Sequence, residues 1–163
     1  MARRPASRRC KPLPVGEFDA QIVDLAEDGR GVARVDGKVT FIHGALPGET
    51  VRFAYTRVHR DADEGELRSI AQSSPDRVTP PCRHFGVCGG CSLQHLAPAA
   101  QIAHKQQRLL ETLQRIGKVM PESVAAAITG PTLGYRRRAR LGVRYVDKRA
   151  SVLVGFRERA SPL

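Results

Sequence analysis

The stretch that decides the fold is FDAQIVDLAEDGRGVARVDGKVTFI, residues 18–42. Phe18, Ala20 and Ile22 alternate with polar neighbours, the period-two pattern of a half-buried strand running to Leu25. Gly29 and Gly31 punctuate the text, and Val32 to Val35 then leads into Asp36-Gly37, a strong two-residue hairpin signal. Lys38 to Ile42 returns, with Val39 and Phe41 on one face and Thr40 and Ile42 on the other. Leu46-Pro47-Gly48-Glu49 reads as a turn, Val51 to Val58 as a fourth strand, and Leu67 to Ala71 as a fifth after an acidic loop. Five short strands in about 55 residues predict a small closed barrel of the oligonucleotide-binding type. Closure matters, because such short strands would otherwise leave unpaired edges.

Outside this block the text changes. Residues 1–15 form a Pro- and Arg-rich arm without periodicity. The barrel is expected over 16–72, a linker and cysteine segment over 73–96, and a helix with an incomplete α+β domain over 97–163. Ser73 to Pro81 holds three prolines and no apolar period, which marks the linker. Pro98 suits the first turn of a helix. Ile102, Leu109, Leu110, Leu113 and Ile116 then repeat at helical spacing, a set expected to be core, and Gly117 is a C-terminal stop. Tyr135 to Phe156 alternates apolar and basic residues, as two strands joined at Asp147-Lys148-Arg149 would. The fold class is therefore mainly β.

The chain has 163 residues and a formal net charge of +11, with 41% hydrophobic and 5% aromatic residues. That composition supports a folded core and excludes a disordered chain. The longest uncharged stretch, His84 to His104, is too polar for a membrane span. Pro5, Pro12 and Pro14 stand where a signal peptide needs an apolar run. A soluble, cytoplasmic protein is expected. Its charge is uneven, about +5 over residues 1–15, −4 over 16–78 and +10 over 79–163. Two basic segments flanking an acidic module point to nucleic-acid phosphates.

Cys82, Cys88 and Cys91 follow a C-x5-C-x2-C spacing with Gly86, Gly89 and Gly90 among them. Clustered thiolates suit a tetrahedral metal or an iron–sulfur cluster, and the glycines let backbone N–H groups turn toward sulfur. Two ligand sets stay open. Cys10 in the basic arm could supply a fourth thiolate, and His95, three residues after Cys91, could complete a Cys3His zinc site.

Gly29-x-Gly31-Val32-Ala33-Arg34, Asp36-Gly37-Lys38-Val39-x-Phe41-Ile42 and Ala45-Leu46-Pro47-Gly48-Glu49 together resemble a TRAM domain, a small RNA-binding barrel. Cys82-x-His84-Phe85-Gly86-x-Cys88-Gly89-Gly90-Cys91-x-x-Gln94-His95 resembles the iron–sulfur segment of the RNA uracil-5-methyltransferases. Gly134-Tyr135-Arg136-Arg137-Arg138-Ala139-Arg140-Leu141, with Gly155-Phe156-Arg157, is similar to the start of their central domain. Order and spacing most resemble the bacterial enzymes acting on 23S rRNA.

The resemblance implies a 4Fe–4S cluster on Cys82, Cys88, Cys91 and a fourth cysteine expected shortly after Leu163. It also implies an S-adenosylmethionine domain outside this chain, together with the family's nucleophilic cysteine, which adds to uracil C6, and its general base. The chain is thus expected to hold no catalytic or S-adenosylmethionine-binding residue. It is read as the inactive, RNA-binding N-terminal portion of a methyltransferase forming 5-methyluridine in 23S rRNA, and as a monomer with no protein partner. Two other readings are a free-standing TRAM and zinc module, and a sibling enzyme for another rRNA or tRNA uridine. The RNA contacts expected are Arg34, Lys38, Arg136, Arg138 and Arg140. In a strand, Arg136 and Arg138 would share one face. Phe41, Tyr135 and Phe156 could stack on bases, although core packing is the favoured role for each.

Overall fold

The computed structural model describes residues 12–159. The chain divides into two compact units between Pro75 and Asp76.

In the first unit, five strands close into a barrel: β1 (Phe18–Leu25), β2 (Gly31–Val35), β3 (Lys38–His43), β4 (Thr50–Val58) and β5 (Ala62–Gln72). Their order is β1-β2-β3-β5-β4, and β1 pairs with β4 to seal it. Every pairing is antiparallel except β3 with β5. The β2–β3 turn places Asp36 at φ 49° and Gly37 at φ 79°. Two successive left-handed residues give the turn the twist of the flanking strands, which is why Asp-Gly stands there.

The alternation read from the sequence fills the barrel. Ile22, Ala33, Ile42, Val51 and Phe53 point inward and are buried. Each large side chain contributes roughly 1.5–3 kcal/mol by leaving water. Phe18 and Phe53 each pack edge to face against Tyr55, with centroids 5.0 Å apart in both pairs. Gly65 on β5 makes room for this cluster, since a Cβ there would overlap the Phe53 ring and lie 3.2 Å from the Ala54 carbonyl.

The fifth strand is longer than expected. The acidic segment read as a loop belongs to β5 from Ala62 onward. Asp63 is buried there, accepting hydrogen bonds from Lys38 Nζ at 2.6 Å and from the His59 backbone N–H at 3.1 Å. A buried carboxylate needs such partners, and they come from outside β5.

Glu49 is fully buried. Its Oε2 accepts the Leu46 N–H at 2.9 Å and its Oε1 accepts the Ser74 N–H at 3.2 Å. One side chain thus closes the turn before β4 and fixes the chain leaving the barrel. Ser74, expected in a linker, is buried with it.

In the second unit, residues 76–78 run beside 95–97. Val78 N–H donates to the His95 carbonyl, Ala97 N–H donates to the Asp76 carbonyl, and Arg77 bridges to Leu96. The cysteine segment is therefore a hemmed loop. Helix α1 (Pro98–Thr112) starts with Pro98 in its first turn and continues as a wider π-type turn, Leu113–Gly117. The left-handed stop falls on Lys118, φ 54°, one residue past the expected Gly117. The helix buries no residue, and Leu109 and Ile116 are exposed, so the expectation that its apolar side is core fails among the described residues.

β6 (Gly142–Val146) and β7 (Ser151–Gly155) form an antiparallel hairpin, and Asp147–Arg149 make a 3-10 turn between them. The structure corrects the expected extent of these strands. Residues 135–141 lie outside any strand, so the alternation there does not assign faces to Arg136 and Arg138.

Candidate nucleic-acid interface and cysteine loop

The cysteine loop is built from tight turns. Phe85 N–H donates to the Cys82 carbonyl at 3.0 Å and Cys88 N–H to the His84 carbonyl at 2.9 Å, while Gly86 takes φ 89°. The Cys82 N–H donates to Gln94 Oε1 at 3.2 Å, which pins the start of the loop to its end. Gly90 N–H points at Cys88 Sγ, 3.4 Å away, in the orientation that stabilises a thiolate.

A second contact was hidden from the sequence. The segment after β7 returns to the loop as an antiparallel partner, with Cys88 bridged to Glu158. Gly89 N–H donates to the Arg157 carbonyl at 2.9 Å, and Arg159 N–H donates to the Val87 carbonyl at 2.8 Å. Arg159 Nε adds a bond to the Gly86 carbonyl at 3.2 Å. A Cβ on Gly89 would sit 3.0 Å from the Arg157 carbonyl oxygen, so the pairing depends on a bare backbone. The Gly89-Gly90 pair was the visible signal for such a close approach, but nothing local named its partner.

Cys82 and Cys91 are exposed and Cys88 is half-buried. In kind and chain spacing, three thiols on one loop with an N–H directed at sulfur fit a thiolate-bound metal group. Among the described residues, however, no three His, Cys, Asp or Glu side chains are gathered closely enough to hold a metal ion. Cys10 lies outside the described residues. His95 is buried with its ring 5.1 Å from that of Phe85 and does not join the cysteines in a Cys3His set.

The expected RNA contacts divide into two groups. Arg34 is exposed on β2, beside the Asp36-Gly37 turn. Lys38 is not placed as expected, because its ammonium is half-buried and bonds to Asp63 and to the His59 carbonyl. Its charge is spent on the barrel. Arg136, Arg138 and Arg140 are exposed, and Arg136 lies over the Tyr135 ring at 5.7 Å. Tyr135 and Phe156 are also exposed, which corrects the core reading for both.

Phe41 is corrected too. It sits on the outer side of β3, opposite in sense to the buried Ile42, and the Arg30 guanidinium lies 4.6 Å from its centroid. Arg30 is held there by Asp28 at 2.8 Å and Glu64 at 3.3 Å. Sequence reasoning missed this stack because Arg30 precedes β2 and Glu64 lies on β5.

Burial pushes the Tyr55 hydroxyl above its ordinary pKa of 10.0, the Asp63 and Asp36 carboxylates push it the same way, and the Thr40 side chain opposes them. No helix among the described residues is long and apolar enough to cross a membrane.

Residues 14–66 match the TRAM domain family. The barrel's last strand extends past that match to Gln72. Over 94% of its length the chain is 52% identical to the 23S rRNA (uracil(1939)-C(5))-methyltransferase RlmD of Alcanivorax borkumensis, covering 34% of that protein. The protein of the same name from Methylococcus capsulatus is 54% identical over 93% of the chain, again with 34% of its own length matched. A solution structure of a conserved Methanococcus maripaludis protein aligns over 42% of this chain and all of its own, at 28% identity and a TM-score of 0.33. The chain spans about a third of the length of the curated relatives it matches. It carries a TRAM domain, and along nearly its whole length it is homologous to the 23S rRNA uracil-C5-methyltransferases.

Proposed function

We propose that this chain is the RNA-recognition portion of an S-adenosylmethionine-dependent methyltransferase that forms 5-methyluridine in 23S rRNA. The observation that carries this reading is the identity of 52% over 94% of the chain to relatives named for that reaction. A closed TRAM barrel and an arginine-rich second unit support it, because both suit a folded polyanion. Arg34, Arg136, Arg138 and Arg140 contact phosphates. Lys38 supports the barrel.

The chain contributes RNA binding and no methyl transfer, and S-adenosylmethionine is bound by the part of such an enzyme that this chain does not match. Cys82, Cys88 and Cys91 would hold a 4Fe–4S cluster together with a further thiolate. The cluster would act as a structural cross-link, since methyl transfer to uracil requires no electron. The protein works as a cytoplasmic monomer.

The test is binding of the 163-residue chain to a 23S rRNA transcript across a salt series. Expected is an affinity that falls steeply with salt, as counterion release requires. It should come with no methyl incorporation from labelled S-adenosylmethionine. A folded chain with no measurable RNA affinity at low salt overturns the reading.

A further inference from the structure

Beside the β6–β7 hairpin lies a concavity of about 430 Å³ whose lining includes Arg144, Arg149, Arg157, Leu153, Phe156 and Glu158. Arg144 is directly opposite Leu153 in the hairpin register, Arg149 ends the 3-10 turn, and Arg157 follows β7. Three separate pieces of backbone therefore bring arginines to the lining of one hollow, where Glu158 is the single acidic residue. All three arginines are exposed, and Phe156 is 57% exposed. The wall carrying Phe156 and Arg157 is held in place, because Arg157 and Arg159 pair with Gly89 and Val87 of the cysteine loop.

We infer that this concavity is a second RNA-backbone site, in which Arg144, Arg149 and Arg157 bind phosphates while Phe156 and Leu153 receive an unstacked base or ribose. The proposal rests on the RNA-binding reading and extends it to residues outside the Arg136–Arg140 run. A planar guanidinium fork matches phosphate oxygens two at a time, and an adjacent ring offers a sequence-tolerant stacking surface. The lining also includes Val143, Val146 and Val154, and it is the excess of three arginines over one glutamate that favours a polyanion over a protein partner. The cysteine loop supplies its rigidity: the same backbone bonds that shape Cys82–Cys91 fix the aromatic wall.

The test compares three forms of the full chain on an RNA hairpin with a uridine-containing loop: the parent, R144Q/R149Q/R157Q, and the charge-matched control K105Q/R115Q/K118Q. For the hollow variant, the slope of log affinity against log salt should become shallower by about two, at roughly 0.7 per single-strand phosphate contact. The control should keep the parent slope. Equal losses in both variants, or no change in the hollow variant, overturn the proposal while leaving RNA binding intact. A parent chain that does not bind removes the RNA reading and this site together. Should the triple variant unfold by circular dichroism, R149Q on the exposed turn decides the matter. It should lose about 0.7 of slope, and an unchanged slope overturns the assignment.

Discussion

Glu49 Oε1 accepts the backbone N–H of Ser74 at 3.2 Å, joining the turn before β4 to the chain that leaves the barrel. The other oxygen accepts the Leu46 N–H. Both donors are buried with their acceptor, so neither can turn to water if the carboxylate is removed. Glu49→Ala should therefore destabilise the barrel by about 3 kcal/mol, and Glu49→Gln, which keeps one acceptor oxygen, by about half as much. Urea unfolding of the two variants checks this, and an Ala variant as stable as the parent contradicts it.

Gly65 faces the Phe53 ring with no space for a Cβ. Gly65→Ala must move an aromatic ring that touches both Phe18 and Tyr55. The expected loss is about 1–3 kcal/mol. Gly37→Ala, with open space around it but φ 79°, should cost about 1 kcal/mol through backbone strain alone. Thermal unfolding that ranks Gly37→Ala as clearly the more damaging change would count against this packing account.

Tyr55 titrates above its ordinary value because its hydroxyl is desolvated and faces Asp63 and Asp36. The folded protein thus holds that proton more tightly than the unfolded chain. Its contribution is fully present below pH 10.0, the unfolded value, and is lost as pH rises through the folded value. Stability measured against pH should fall less steeply above that point for Tyr55→Phe than for the parent. Parallel curves would show that the shift is absent.

Cys88 is the cysteine whose sulfur receives the Gly90 N–H and whose backbone bridges to Glu158. Protein prepared anaerobically in the full-length setting of its relatives should bind iron and sulfide and absorb visible light. Cys88→Ser should abolish the absorbance and Cys10→Ser should leave it unchanged. Stoichiometric zinc without iron contradicts the cluster assignment.

Much of the barrel was legible, and the reason is local. β1 to β4 fall within one residue of the runs marked by alternation and by Asp36-Gly37 and Pro47-Gly48. β5 was cut short because its acidic start read as a loop, whereas Asp63 is buried in the strand and paired with Lys38, 25 positions away. The same ion pair removed Lys38 from the candidate contacts. Residues 135–141 show strand-like alternation, yet no partner strand lies beside them among the described residues, and alternation without a partner makes no sheet. The cysteines were visible from spacing, while their backbone tie to Arg157 and Arg159 was not. A hydrogen bond across about seventy positions leaves no periodic trace, only the two glycines that permit it.

The most direct measurement of the central claim is a replacement experiment. This chain takes the place of the matching third of the Methylococcus capsulatus relative, and 5-methyluridine is quantified by mass spectrometry in the 23S rRNA of cells lacking the native enzyme. The account predicts that the modification returns, and that it is lost again in the R136Q/R138Q/R140Q form of the same chimera. A folded chimera that leaves the uridine unmodified, or one that modifies it equally well with this chain deleted, would contradict it.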